Sequence, residues 1–300
     1  MGKESPLVTV LVITYNSSEY VIQTLESIRR QTYKNIELII TDDCSKDNTP
    51  SICKEWLEKY GDSFVEASFH STPHNMGVAG NINNGIKYAH GVWIRDIDGD
   101  DMLTDDSIES YVYFLSTRNA GEYDILLARC KRFGEEKILT ATRDWFHYNF
   151  VNFSHKQLLY CILRSNFIPD STALVKKEYY QKIGGYDENI PLLEDWPFWV
   201  KCIKDNARIG FVDKETVLYR IREGSLSNGG RSERYMQSEE KAKKYALDVQ
   251  YKTNKLLWLH TISMNRMGSG NTLKSVFYKA LWLLNPMTHY MRYLTKKLVQ

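Results

Sequence analysis

Apolar runs and helical stripes alternate regularly over the first hundred residues. Leu7 to Tyr15 (LVTVLVITY) is nearly continuous in apolar and β-branched side chains, the pattern of a strand buried on both faces of a parallel sheet. Asn16-Ser17-Ser18 is a turn and helix N-cap signal. Val21, Leu25 and Ile28, with Ile22 beside them, then recur at helical spacing in a segment reaching Gln31. A second strand (Ile36 to Thr41), an acidic turn (Asp42 to Thr49) and a helix (Pro50 to Tyr60) follow. A third strand is expected around Phe64 to Phe69. After Pro73 a Gly- and Asn-rich loop feeds a helix ending near His90, and a fourth strand runs from Val92 to Ile97. This β-α-β-α-β-α-β order predicts an α/β fold, a mostly parallel sheet with helices on both faces. Ligands of such sheets bind beyond the C-terminal ends of the strands, where Tyr15, Asp43, the Asn75 loop and Asp98 all fall.

The rest of the pattern is less regular. A helix is predicted from Asp105 to Thr117, a strand from Asp124 to Ala128, and a strand from Ser171 to Val175 followed by a short helix to Ile183 that Gly184-Gly185 breaks. Leu193 to Ile203, with Trp196, Phe198, Trp199 and Val200, reads as a helix, and Ile209 to Val212 and Thr216 to Ile221 as two short strands. Residues 131 to 170 are aromatic-rich and carry no clear period. Gly224 to Ser232 is polar and Gly-rich, a linker pattern, and everything beyond it reads as helical.

The chemistry concentrates where the fourth strand ends. Four of the six residues from Asp96 to Asp101 are Asp. Such a cluster repels itself unless a cation or solvent relieves it. Hard oxygen ligands suit Mg²⁺ or Mn²⁺, and Mg²⁺ usually shares its shell with substrate phosphates. The alternative is a solvated acidic turn. A calcium loop is excluded, because its sixth position would be Asp101 rather than Gly and its twelfth Ser107 rather than Glu. The convergence of four polar strand ends on one crevice favours the metal-diphosphate reading.

Composition adds limits. With 300 residues, 43% hydrophobic and 25% charged, the chain is an ordinary globular protein with room for a sizeable core. A net charge of +2 gives no sign of a nucleic-acid partner. No GxGxxG follows the first strand and no GxxxxGK[ST] occurs, which disfavours a dinucleotide dehydrogenase or a P-loop enzyme. Five scattered cysteines with no CxxC pair fit reduced cytosolic thiols rather than zinc or disulfides. The N-terminus lacks an apolar h-region, and no run approaches a membrane span, so a cytoplasmic protein is expected.

Six pieces in order resemble glycosyltransferase family 2, the inverting GT-A enzymes: Val10 to Asn16; Glu37 to Thr49, similar to the family's DD-x-S-x-D-x-T; Asn75-Met76-Gly77-Val78 with Asn83-Asn84-Gly85; Ile97-Asp98-Gly99-Asp100-Asp101, similar to DxDD; Gly184 to Glu188 with Leu193-Glu194-Asp195-Trp196 and Trp199; and Tyr219-Arg220 with Ser225 and Ser227. The match covers roughly residues 6 to 227, about three quarters of the chain. The resemblance implies a nucleotide-sugar donor, UDP-linked or, in the runner-up reading, dTDP-linked, and a Mn²⁺ or Mg²⁺ cofactor. It implies that Tyr15 packs on the base, Asp43 accepts from the uracil edge, and Asn75, Gly77 and Asn83 belong to the donor site. Asp98 then reaches the ribose or the metal, Asp100 binds the metal, and Asp195 is the catalytic base, with Glu194 and Trp196 on the acceptor side. Without the other motifs, Asp195 would read as a carboxylate at a helix N-terminus, favourable in any protein. Trp93 reads as core and Trp196 as sugar-stacking.

Two positions depart from the family. Many members carry Arg where Ile82 stands, and its contact would be absent or supplied by Arg95. Many carry a metal-binding His where Arg222 stands; Arg cannot bind a metal but can pair with diphosphate. A sugar-nucleotide pyrophosphorylase would need a basic Gly-rich loop that Asn16 to Glu19 does not supply. A non-catalytic sugar- or nucleotide-binding subunit remains the other class.

Three regions are expected: 1–104 for the donor, 105–227 for the acceptor and base, and 228–300 as a helical extension. From Val249 to Gln300 there are eight Lys or Arg and no Asp or Glu. Val276, Phe277, Ala280, Leu281, Leu283 and Leu284 form an apolar set within it. Residues 273–300 therefore read either as an interfacial anchor on an anionic leaflet at the inner face of the cell membrane, or as helices docked on the catalytic domain. The first fits a glycan or lipid-linked acceptor in bacterial surface polysaccharide assembly, a step taken by family analogy.

Overall fold

A computed structural model of the chain describes residues 5–118, 120–134, 148–222, 232–267 and 272–299. The segment 135–147, most of Gly224 to Ser232, and Ser225 and Ser227 lie outside them.

The first strand shows why the chain folds as it does. β1 (Val8–Thr14) is buried along its whole length. Val8, Val10 and Val12 face one side, and Leu11 and Ile13 the other, because side chains alternate along a strand. Each side meets its own helices. On one, α1 (Val21–Arg29) brings Val21, Leu25 and Ile28; α2 (Thr49–Tyr60) brings Cys53 and Trp56; α4 (Ser107–Thr117) brings Ile108, Tyr111 and Leu115. On the other, α3 (Gly77–Ile86) brings Ala79 and Ile82, and α7 (Asp195–Lys204) brings Phe198 and Trp199. Trp93 is 2% exposed, a core residue as expected.

β2 (Ile36–Asp42), β3 (Glu66–Ser71) and β4 (Trp93–Asp98) join β1 in parallel, in the order β3-β2-β1-β4. The sheet continues through β7 (Leu174–Lys176), β6 (Ile125–Gly134), β8 (Ile209–Ile221) and β5 (Met102–Leu103), in that order. Here the pairing is mixed: β4–β7, β6–β7 and β5–β8 are antiparallel and β6–β8 parallel. The regions expected for donor and acceptor thus share one sheet. The two short strands expected at 209–221 are one strand, β8, whose register against β6 shifts around Arg129. Such an irregularity interrupts the apolar alternation, so the sequence reads as two pieces.

The remaining α-helices among the described residues are α5 (His155–Ile162), α6 (Lys177–Ile183), α8 (Glu233–Thr253), α9 (Lys255–Arg266), α10 (Thr272–Leu284) and α11 (Pro286–Val299). The extension is docked on the α7 face of the sheet. Ala242, Ala246 and Val249 of α8, Leu257 of α9, and Met291 and Leu294 of α11 join that core. α10 is different: Val276, Phe277, Leu283 and Leu284 are exposed. Among the described residues no helix is long and apolar enough to cross a membrane.

At the N-terminal end of the strands, Glu37 is almost wholly buried and ties three segments together. It accepts from Thr9 Oγ1, from His90 N at 2.8 Å and from Gly91 N at 3.3 Å, and its Oε1 lies 2.6 Å from His90 Nδ1. Burial pushes its carboxyl up, but the hydrogen bonds from Thr9, His90 and Gly91 outweigh this and hold it below the usual range. A depressed pKa contributes stability above the unfolded value, lost as pH falls through the folded one. Glu37→Gln should therefore cost about 1–3 kcal/mol in denaturant unfolding at pH 7 and much less at pH 3. An equal cost at both pH values would refute the ionised tie.

Candidate active site

β1 lies between β2 and β4 and the three strands end side by side, and the region beyond their ends is the candidate cleft. Tyr15, just past β1, is 49% exposed there. Asp43, just past β2, is buried and holds the next loop: it accepts from Met76 N at 2.7 Å, Gly77 N at 2.8 Å and Thr72 Oγ1 at 3.0 Å. Gly77 is required at this point. Its φ is +82°, and a Cβ would lie 2.8 Å from the Pro191 carbonyl oxygen. Asn75 donates to the Asp43 carbonyl at 3.4 Å, and its Oδ1 accepts from Arg234 on α8.

The Asp cluster occupies the end of β4. Asp98 opens to the cleft and protein surrounds it on its other sides. That desolvation, then the charges of Asp100 and Asp96, push its carboxyl up to about 7. Asp100 Oδ2 pairs with Arg222, at 3.0 Å from Nε and 2.9 Å from Nη2. Arg222 therefore rests on the carboxylate expected to hold the metal. Arg220 braces the same turn: its N donates to Asp101 Oδ1 at 2.7 Å and its Nε to the Asp100 carbonyl at 2.6 Å. Both guanidiniums stand over the Tyr20 ring, at 4.6 Å for Arg220 and 5.2 Å for Arg222.

Asp195 opens α7. Its Oδ2 accepts from Asn166 Nδ2 at 2.6 Å and its Oδ1 from Trp196 N at 2.6 Å. Burial raises its carboxyl above the usual range despite these bonds. Its charge is among those that raise Asp98, so the two carboxylates, 97 positions apart in sequence, share one electrostatic field. Asp170, just before β7, and Glu194 belong to that field. Burial raises both well above their usual values, with Asp96 the next contributor for Asp170 and Asp195 for Glu194. Asp101 Oδ2, Asp170 Oδ1 and Glu194 Oε2 are buried without a partner among the described residues. Asp170 and Asn166 lie in or beside the aperiodic stretch, and nothing local in the sequence signals them.

Three expectations are corrected. Asn83 lies away from the cleft: its amide bonds Tyr186 N at 3.0 Å, Tyr186 O at 2.9 Å and Glu188 at 2.9 Å, tying α3 to the loop after α6. Arg95 cannot replace the missing family arginine. It is 0% exposed on β4 and donates to the carbonyls of Asp96, Ala173 and Ser171. Trp196 is no open stacking platform: it is 8% exposed, and its Nε1 donates to the Ile162 carbonyl at 2.6 Å. The 286–299 part of the tail is docked through Met291 and Leu294, the second of the two readings given for that segment. In each case a neighbour distant in sequence claims the side chain.

Among the described residues, one carboxylate–imidazole group has metal-like spacing: Glu37, Glu66 and His90, with ligand atoms within 4.8 Å of one another. It lies at the opposite end of the strands from the cleft, and Glu37 already serves as a tie there.

Strand-end carboxylates in a doubly covered sheet stand where ligands of such α/β folds bind. Residues 9–184 match the model of glycosyl transferase family 2, more than half of the chain, and the protein belongs to that family. It is 28% identical over 225 residues to the minor teichoic acid biosynthesis protein GgaB of Bacillus subtilis, covering 73% of this chain and 23% of that one. The chain thus spans about a quarter of GgaB. It is 26% identical over 290 residues to an uncharacterized glycosyltransferase of Haemophilus influenzae, covering 95% of this chain and 98% of that one. In fold it is similar to S. aureus TarS 1–349 in complex with UDP-GlcNAc, with TM-score 0.61 and 20% identity over 96% of this chain and 87% of that one.

Proposed function

We propose that this family 2 enzyme transfers a sugar, with inversion, from a UDP-linked donor to a hydroxyl of a glycan or lipid-linked acceptor in surface polysaccharide synthesis. The observation that carries it is the meeting of Asp98, Asp100 and Asp195 in one cleft at the strand ends. The GgaB likeness supports the pathway, and the UDP-GlcNAc bound to TarS supports the donor class.

The residues fit a divalent cation. Asp98 and Asp100 are hard oxygen ligands, and the buried oxygens on Asp101, Asp170 and Glu194 that have no partner among the described residues crowd carboxyls together in a way that a cation would relieve. Asp98 and Asp100 would hold Mn²⁺ or Mg²⁺, which would neutralise the charge developing on the leaving diphosphate. Tyr15 offers an exposed ring to the base. Asp43 fixes the Asn75–Gly77 loop that walls the nucleotide. Arg222 moves from Asp100 to the diphosphate when the donor enters, exchanging one anionic partner for another. Asp195 removes the acceptor proton as attack proceeds. Its raised pKa brings it nearer neutrality, where a general base is most effective. Asn166 and Trp196 N keep its carboxylate oriented. With Asp195 as the one base assigned, the transfer is a single displacement. The exposed apolar side of α10, in a stretch free of acids, supports contact with the inner face of the cell membrane.

A donor panel with Mn²⁺ tests the reading, scoring slow hydrolysis of UDP-glucose, UDP-galactose, their N-acetylated forms and dTDP-rhamnose. Metal-dependent hydrolysis of one UDP-sugar is expected. Hydrolysis of dTDP-rhamnose alone would transfer the assignment to the dTDP class. Absence of both hydrolysis and metal-dependent UDP binding would overturn it.

A further inference from the structure

The first turn of α8 carries a cation to the loop that follows β3. Ser238, Ala242 and Ala246, spaced by four, mark the buried side of that helix. Arg234 stands one turn before Ser238 in the same row, where the row leaves the core and becomes exposed. The helix that carries it is fixed at both ends. The Ser232 hydroxyl caps its start, accepting from Tyr235 N at 3.1 Å. Towards its far end Gln250, 1% exposed, donates to the Leu163 carbonyl at 2.6 Å.

α8 grips the Asn75–Gly77 loop through two contacts, one relayed and one direct. Lys241 Nζ donates to the Asn189 carbonyl at 3.0 Å, and two residues on Pro191 packs against Gly77 and accepts from Ala79 N at 3.4 Å. Arg234 Nη1 donates directly to Asn75 Oδ1. Asp43 already holds the backbone of the loop, through Met76 N and Gly77 N. Arg234 holds its side chain.

That contact decides how Asn75 can be used. An amide oxygen only accepts, an amide nitrogen only donates, and a guanidinium only donates. The arginine therefore claims Oδ1. Nδ2 is turned to the Asp43 side of the loop, where one of its hydrogens meets the Asp43 carbonyl at 3.4 Å. Its second hydrogen has no acceptor among the described residues. A nucleoside diphosphate presents mainly acceptors: base carbonyls, ribose oxygens and phosphate oxygens. An amide flipped the other way would meet them with an oxygen.

We propose that Arg234 is a positioning residue for the donor. It fixes the Asn75 amide with an N–H free for the nucleotide, so the C-terminal extension, which lies beyond the stretch 9–184 matched to the family, completes the donor site. The donor role rests on the reading of the cleft as a nucleotide-sugar site; the tie between Arg234 and the loop does not.

The test is a double-mutant cycle on the full chain. UDP with Mn²⁺ is titrated calorimetrically into the wild type, Arg234→Ala, Arg234→Lys, Asn75→Ala and Arg234→Ala/Asn75→Ala. Each alanine variant is expected to weaken UDP about fivefold, the scale of one hydrogen bond. The thermal melt should barely move, because Arg234 is a surface position. The double variant should bind no more weakly than Asn75→Ala, because Arg234 acts through that side chain. Arg234→Lys, which still donates to Oδ1, should recover most of the loss. Unchanged UDP affinity in Arg234→Ala, or losses that add in the double variant, would overturn the proposal. Hydrogen exchange of residues 72–79 in the ligand-free proteins separates this from the nucleotide-sugar reading, and faster exchange is expected in Arg234→Ala. If the wild type binds no UDP, the donor role falls with that reading. Faster exchange would then keep only the tie between α8 and the loop, and unchanged exchange would remove that as well.

Discussion

Asp195→Asn is expected to lower turnover by roughly 10²–10⁴-fold while leaving UDP affinity within a factor of two, because it removes a general base and nothing the nucleotide touches. The substitution keeps the size of the side chain and one acceptor oxygen, enough for either Asn166 Nδ2 or Trp196 N but not both. The fold at the start of α7 should therefore survive, and a thermal melt within a few degrees of wild type checks this. The pH profile supplies a sharper control. Burial holds the Asp195 carboxyl above its ordinary range, so the wild-type rate should rise with pH through that raised value. Residual activity of the variant should lack that limb. Unchanged turnover would reduce Asp195 to a carboxylate favoured at a helix N-terminus.

Asp100→Ala is expected to abolish metal-dependent UDP binding and lower turnover by about 10³-fold, the scale of several kcal/mol of charge stabilisation. Chelation of the wild type should mimic it. Arg222→Ala makes the contrast. Arg222 sits 2.9 Å from the Asp100 carboxylate and so competes with any cation for it. Removing it should tighten Mn²⁺ binding in the absence of donor, yet raise the donor KM several-fold. Isothermal titration of Mn²⁺ with and without UDP reads both effects. If donor affinity and turnover are unchanged in Arg222→Ala, the residue has no part in holding the diphosphate.

How much of this was legible before folding differs by region. The near-continuous apolar run of β1, the stripe of α1 and the Asp cluster after β4 are local patterns, and each formed the element its pattern predicts. The placement of Tyr15, Asp43, Asn75 and Asp98 at strand ends followed from the β-α alternation alone. The acceptor side was harder. β7 is three residues long and pairs antiparallel with both β4 and β6, so its register comes from partners far away in sequence. Asn166 and Asp170 lie where no period exists, and only the chain's return past β4 brings them to the carboxylates.

The sequence by itself determined the α/β alternation, the end of the sheet at which the candidate site residues gather, and the family's acidic motifs, because strand burial, helix periodicity and turn chemistry are properties of neighbouring residues. Only the tertiary structure decided which side chains remain available. Arg95 is consumed by backbone carbonyls, Asn83 by the Tyr186 loop and Trp196 by Ile162, whereas Arg222 is set on Asp100. A polar group taken out of water must find a partner, and long-range packing decides which partner it finds.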